Sequence, residues 1–301
     1  MLDIIITSYN EPKATLRAVK AFLNQDIKED FRIIVCDPFP EVLEFLKQNI
    51  NDDRVIFFLD PGEGKSYALT LLFQEYGSNN NDDIFILTDG DVYVSNNCLE
   101  EIKKAFKDPE VGGVTGNPVS IDSRENKFGY WSHLLFAGGN KVRKKLSLKG
   151  KFFEFTGYLQ AIRSGVILDC PEGTSDDAII PYLFWKKGYK LKYLEKAEVY
   201  VKNPSNWKDW VNQKIRNIKA HENIDNITSD FPRMKTFSNE IKAGILFLFD
   251  YPQNPKEFLW TIQLYFARLY VYSRAFKEIR QNKKYDDAWR GEHEIKSTRL
   301  D

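Results

Sequence analysis

Along the first ninety residues, short apolar runs alternate with stretches in which apolar positions recur every three or four residues. Ile4 to Ile6, Arg32 to Val35, Val55 to Leu59 and the run beginning at Ile84 have the length and β-branched or aromatic character of buried strands. Between them, Leu16, Val19, Phe22 and Leu23, then Val42, Leu43, Phe45 and Leu46, then Lys65 to Tyr76 carry the stripe of an amphipathic helix. Strand and helix in strict alternation predict a mostly parallel sheet with helices on both faces. In such sheets a ligand lies beyond the carboxyl ends of the strands, where Thr7 to Glu11, Asp37, Asp60 to Lys65 and Asp89 to Asp91 all fall.

After residue 91 the rhythm changes. Leu99 to Phe106 reads as a helix, Val111 to Thr115 as a strand and Phe128 to Phe136 as an aromatic helix. Lys141, Arg143, Lys144, Lys145, Lys149 and Lys151 then predict a basic loop, either solvated or holding an anion such as a lipid headgroup or a pyrophosphate. Phe152 to Arg163 alternates in part and is interrupted by Gly157. A helix from Ala178 to Lys187 follows Thr174, Ser175, Asp176 and Asp177, residues suited to capping its start. Strands are expected at Leu191 to Leu194 and Val199 to Val201, and a helix from Trp207 to His221. On that helix Gln213, Arg216 and Asn217 share one face, able to grip a phosphate or sugar hydroxyls or simply to stay wet. In the tail, Ile245 to Phe249 is followed by a nearly all-apolar helix from Phe258 to Tyr272, either packed into the domain or lying in a membrane interface.

The candidate chemistry centres on Ile84 to Asp91. A strand runs into two carboxylates separated by Gly90, and acids aimed at one spot suit a hard divalent cation, although a solvated turn has the same sequence. Glu63-Gly64-Lys65-Ser66 is not a P-loop, because the first glycine of that pattern would fall at Leu59. Lys65 at a helix mouth could meet a phosphate as a point charge, or be solvated.

Composition narrows the class. Lys plus Arg and Asp plus Glu are 43 each, so no global field draws the chain to nucleic acid. Three widely spaced cysteines, Cys36, Cys98 and Cys170, argue against a disulfide framework or zinc site and fit a reducing cytoplasm. The first residues read as a strand with no leader, and no run reaches the roughly 18 to 20 apolar residues of a membrane span. Membrane contact, if made, would be peripheral, through 128–151 and 258–276, at the inner face.

Taken together, these residues resemble the family 2 inverting glycosyltransferases of the GT-A fold, from the first strand to about His221. Asp89-Gly90-Asp91 looks like the DxD motif for metal and diphosphate, and Thr7 to Glu11, including Tyr9, resembles the base-contacting loop. Asp37 falls where the family has an acid, within Cys36-Asp37-Pro38-Phe39 instead of Asp-Asp-Gly-Ser. Lys65 matches a basic residue near the diphosphate, and Gly157 to Arg163, with Tyr158, is similar to an acceptor-side segment. Thr174-Ser175-Asp176-Asp177 looks like the Glu-Asp motif, with Ser175 replacing Glu and Asp176 at the base position; Asp177 is its acceptor-side neighbour. Gln213-x-x-Arg216-Asn217 resembles Gln-x-x-Arg-Trp with Asn217 for Trp.

The resemblance implies a GT-A domain over 1–223, divided into a nucleotide half (1–91) and an acceptor half (92–223), with a helical extension over 224–301. It implies Mn or Mg at Asp89 and Asp91. Donor contacts fall at Thr7, Tyr9, Glu11, Asp37, Lys65, Asp89, Gln213 and Arg216, with Asp176 as base. The donor would be a nucleotide-sugar, with uridine the favoured base, and the acceptor a glycan or lipid-linked sugar. A nucleotidyltransferase and a catalytically silent sugar-nucleotide-binding module are the competing readings.

Overall fold

The computed structural model describes residues 1–80, 82–172, 174–224, 228, 230–232, 249–281 and 295–299. The alternation of the first ninety residues folds as its pattern requires: β1 (Leu2–Thr7), α1 (Pro12–Leu23), β2 (Phe31–Asp37), α2 (Pro40–Asn49), β3 (Val55–Leu59), α3 (Lys65–Tyr76) and β4 (Ile84–Asp89). There follow β5 (Tyr93–Val94), α4 (Cys98–Phe106), β6 (Val111–Ser120), α5 (Lys127–Leu148), β7 (Leu159–Arg163), α6 (Asp176–Lys186), β8 (Lys190–Val201), α7 (Trp207–Asn223) and α8 (Pro255–Arg280). One mixed sheet joins the strands in the order β3-β2-β1-β4-β7-β6-β8-β5. Its β3-β2-β1-β4 half is parallel, and β7 enters antiparallel to both β4 and β6.

Register decides which loops meet. Thr7 lies opposite Asp89 on one side and Cys36 on the other, so Thr7, Asp37 and Asp89 end their strands at one edge. Because β7 runs the other way, its first residue, Leu159, pairs with Thr88 and brings Gly157 and Tyr158 to that same edge. Both faces of the sheet are covered. Ile4 and Ile6 pack on one side with Val19, Phe22 and Leu46, while Ile5 points to the other with Leu69, Phe73 and Phe85. A third apolar cluster ties α5, α7 and α8 together through Trp131, Trp210, Leu264 and Val271.

Four expectations are corrected. The basic stretch from Lys141 is not a loop: α5 continues to Leu148, and Arg143 turns inward, its Nε donating to the Glu154 carbonyl at 3.1 Å. Residues 190–201 form one strand, not two; a shift of register between Thr115 and Asn117 of β6 absorbs the charged Glu195 and Lys196 as an irregularity. Ser175 is the N-cap residue of α6 but makes no capping hydrogen bond with its side chain. The tail helix is longer than expected and packs into the domain along one side; of Ile245–Phe249, all but Phe249 lie outside the described residues. Among the described residues no helix is long and apolar enough to cross a membrane.

Candidate active site

At the edge where the strands end, Lys65 holds two carboxylates at once. The first residue of α3, it follows a turn in which Gly62 (φ 79°) and Gly64 (φ 110°) take the left-handed backbone that glycine tolerates. Its Nζ lies 2.7 Å from Asp89 Oδ1 and 3.2 Å from Asp176 Oδ2. Gln160, from β7, donates to the same Asp176 oxygen at 2.9 Å. The end of β4 and the start of α6, 87 positions apart in sequence, therefore meet at one place.

The turn between the acids is compact for a steric reason. Gly90 N–H donates to the Thr7 carbonyl at 2.8 Å, and a Cβ on Gly90 would come within 2.8 Å of both Ser8 Cβ and Thr15 Oγ1. Close approach to β1, not a positive φ, is what requires glycine here. Asp91 follows beside Asp89 and near Arg17, whose guanidinium sits 4.1 Å above the Tyr93 ring. Burial first, and then Asp89, push the Asp91 carboxyl up to about 7 against the pull of Lys65 and Arg17. Burial draws the Lys65 ammonium down, but Asp176 and Asp89 outweigh it and hold it above the usual lysine range. Asp176 is shifted up by burial, in opposition to Lys65, with Asp177 and Asp89 adding to the rise.

The loop that follows β1 is fixed by Asp37. Its carboxylate is fully buried and accepts from Ser8 Oγ (2.7 Å), Asn10 N–H (3.1 Å) and Phe39 N–H (2.8 Å). Asn10, at φ 56°, makes the sharp turn that lets both its own N–H and Ser8 reach that carboxylate. Tyr9 meets the Phe39 ring edge-on at 5.0 Å, a cleft wall, and Glu11 is buried at the start of α1. Thr7 Oγ1 reaches the Thr88 carbonyl at 3.3 Å.

On the opposite wall, Gly157 lies against Asp177, 3.8 Å from its position for a Cβ to the Asp177 Cβ. Tyr158 packs edge-on against Phe136 at 5.8 Å and accepts at its carbonyl from Thr88 Oγ1. Ser175 Oγ donates to Asp177 Oδ1 in a short hydrogen bond. Gln213 is buried on α7, where its Oε1 accepts from Lys214 Nζ at 2.9 Å, and Arg216 lies one turn along the same helix. The structure thus brings Thr7, Asp37, Lys65, Asp89, Asp91, Gly157, Tyr158, Asp176 and Asp177 to one rim. One member was missed in the sequence: Gln160, a polar residue between the apolar Leu159 and Ala161 of β7, whose partner Asp176 only the fold supplies.

The acidic pair suits a divalent cation that arrives with a ligand. Among the described residues no group of three or more His, Cys, Asp or Glu side chains could hold a metal by itself. Two carboxylates leave coordination positions for phosphate oxygens, the usual arrangement for a small hard cation.

No curated protein sequence matches the chain. Among solved structures, the mannosyltransferase PcManGT from Pyrobaculum calidifontis, in complex with GDP-Man and Mn2+, is 16% identical, with a TM-score of 0.58 over 93% of this chain and 79% of that one. Residues 1–349 of S. aureus TarS in complex with UDP-GlcNAc are 13% identical, with a TM-score of 0.51 over 95% and 93% of the two chains. These likenesses give the fold, the mixed sheet of the GT-A glycosyltransferases. The model of glycosyl transferase family 2 matches residues 3–169, more than half of the 301 residues, ending before Asp176 and α7. The chain belongs to glycosyl transferase family 2, and its activity is that of a glycosyltransferase.

Proposed function

We propose that this glycosyltransferase moves a sugar from a nucleoside diphosphate donor, a UDP-sugar in the first instance, to a glycan or lipid-linked acceptor by one inverting displacement. The observation that carries it is the Lys65 ammonium shared by Asp89 and Asp176, since it joins a diphosphate-binding acid to an acid on the acceptor side. Asp89 and Asp91 would hold Mn or Mg, which supplies Lewis acidity to the leaving diphosphate when bound. Lys65 is placed to turn from Asp89 to a diphosphate oxygen and add positive charge where the leaving group develops its own. Asp176 then accepts the acceptor's hydroxyl proton, with Gln160 orienting its carboxylate. The walls at Tyr9 and Phe39 and at Gly157, Tyr158 and Asp177 take the base and the acceptor, and Gln213 and Arg216 serve the donor from α7.

In this reading 1–223 is the catalytic unit, with 1–91 binding nucleotide and 92–223 acceptor. Within the extension over 224–301, α8 braces it by packing on α5 and α7. PcManGT is in complex with GDP-Man and TarS with UDP-GlcNAc, so the donor is tested over both bases. A panel of UDP- and GDP-sugars with Mn2+ should yield free nucleoside diphosphate with one donor class. Inorganic pyrophosphate as the product would mean nucleotidyl transfer, and no turnover of any donor would favour a binding module.

A further inference from the structure

We infer that the outward face of α8 is a docking surface for an anionic lipid bilayer, on which the protein lies without crossing. One side of this 26-residue helix is core: Leu264, Ala267, Val271 and Ala275 are buried against α5 and α7. The other side, where a soluble helix carries charge, is mainly apolar over three turns, with Gln263 the polar residue between Leu259 and Phe266. Leu259, Phe266, Leu269 and Tyr270 fall on it at helical spacing, exposed by 54%, 67%, 48% and 44%.

The charges select the partner. Glu257 and Glu278 are the helix's only carboxylates, and they are held by Arg124 and Lys219. Cations end the apolar stripe at both extremities: Lys256 over the Trp260 ring in the first turn, and Lys277 and Arg280, both exposed, in the last. Neighbouring Trp207, 43% exposed and 5.7 Å from the Tyr270 ring, widens the patch with a side chain suited to the headgroup level. An apolar stripe bounded by lysine and arginine, with no acid on it, matches the acyl boundary and phosphates of an anionic leaflet. A second copy fits worse: a two-fold interface through this helix sets its cations against their copies, and the helix's own carboxylates, Glu257 and Glu278, are already held. The helix lies on the bilayer instead of entering it because half of its circumference is already packed in the domain.

The inference stands apart from the sugar chemistry and is tested without turnover. Purified protein is sedimented with vesicles of phosphatidylcholine alone or of phosphatidylcholine with phosphatidylglycerol. Binding is expected to the anionic vesicles, to fall roughly tenfold or more in the double variant Phe266→Asp with Leu269→Asp, and to fall also with added salt. Lys277→Glu with Arg280→Glu, which alters only exposed side chains, should remove the preference for anionic vesicles. Wild-type protein that stays in the supernatant with both vesicle types overturns the inference, as does undiminished binding by both folded variants. Light scattering that shows a dimer dissociated by Phe266→Asp with Leu269→Asp would assign the face to a second copy and overturn it equally.

Discussion

Asp176→Asn should lower sugar transfer by about 10²- to 10⁴-fold, the range for loss of a general base, while calorimetric donor affinity stays within about twofold. The asparagine keeps the shape of the side chain and an oxygen for Gln160, so the change removes the basic charge, with the Lys65 ammonium left to Asp89. Burial already raises the Asp176 carboxyl, which makes it a better proton acceptor once the Lys65 ammonium turns to the donor. Asp177→Asn is the comparator. Its carboxylate is engaged by Ser175 Oγ and flanks Gly157, and its loss is expected to weaken acceptor use by about tenfold without abolishing transfer. If instead Asp177→Asn is the inactive variant and Asp176→Asn turns over, the base is Asp177 and Asp176 only anchors Lys65.

Asp91→Ala should weaken Mn-dependent donor binding by about 10²-fold or more, roughly 2.7 kcal/mol, and make the residual affinity indifferent to a chelator. A pH signature accompanies it. The Asp91 carboxyl, pushed up to about 7, must lose its proton to ligate a cation, so wild-type donor affinity in Mn2+ should climb through about pH 7 and level off above it. In Asp91→Ala that climb should vanish. Stability of the metal-free protein runs the other way: this carboxyl is raised above its unfolded value of about 4, so the folded state holds the proton more tightly. Its stabilising contribution is complete below about pH 4 and is lost as the pH rises through about 7, which urea unfolding without metal can follow. Affinity that is flat in pH, or unchanged in Asp91→Ala, would remove Asp91 from the metal site.

The strand-helix alternation of residues 1–91 could be read because the central parallel strands are buried on both faces and so carry unbroken apolar runs such as Ile4 to Ile6, Ile33 to Val35 and Ile84 to Leu87. The convergence of Thr7, Asp37 and Asp89 follows from that alternation alone, since parallel strands in register end together. What could not be read depended on contacts distant in sequence. Gln160 is polar in a buried strand because Asp176 needs a donor, and only the fold supplies the partner. Arg143 resembles its lysine neighbours in sequence, yet it is buried and donates to the carbonyls of Glu154 and Phe155. Asp37 is expected as a donor contact, and the bonds its oxygens accept from Ser8, Asn10 and Phe39, which hold the loop that carries Tyr9, depend on the fold. The tail helix admitted two readings, core or interface, because its inner and outer faces are both apolar.

A single displacement with a base on one side of the sugar and a diphosphate on the other inverts the anomeric carbon. The direct test is the anomeric proton's coupling constant in the glycoside product, measured by NMR from a donor of known configuration. The configuration opposite to the donor's is expected; retention would contradict the roles given to Asp176 and to the Asp89–Asp91 pair together.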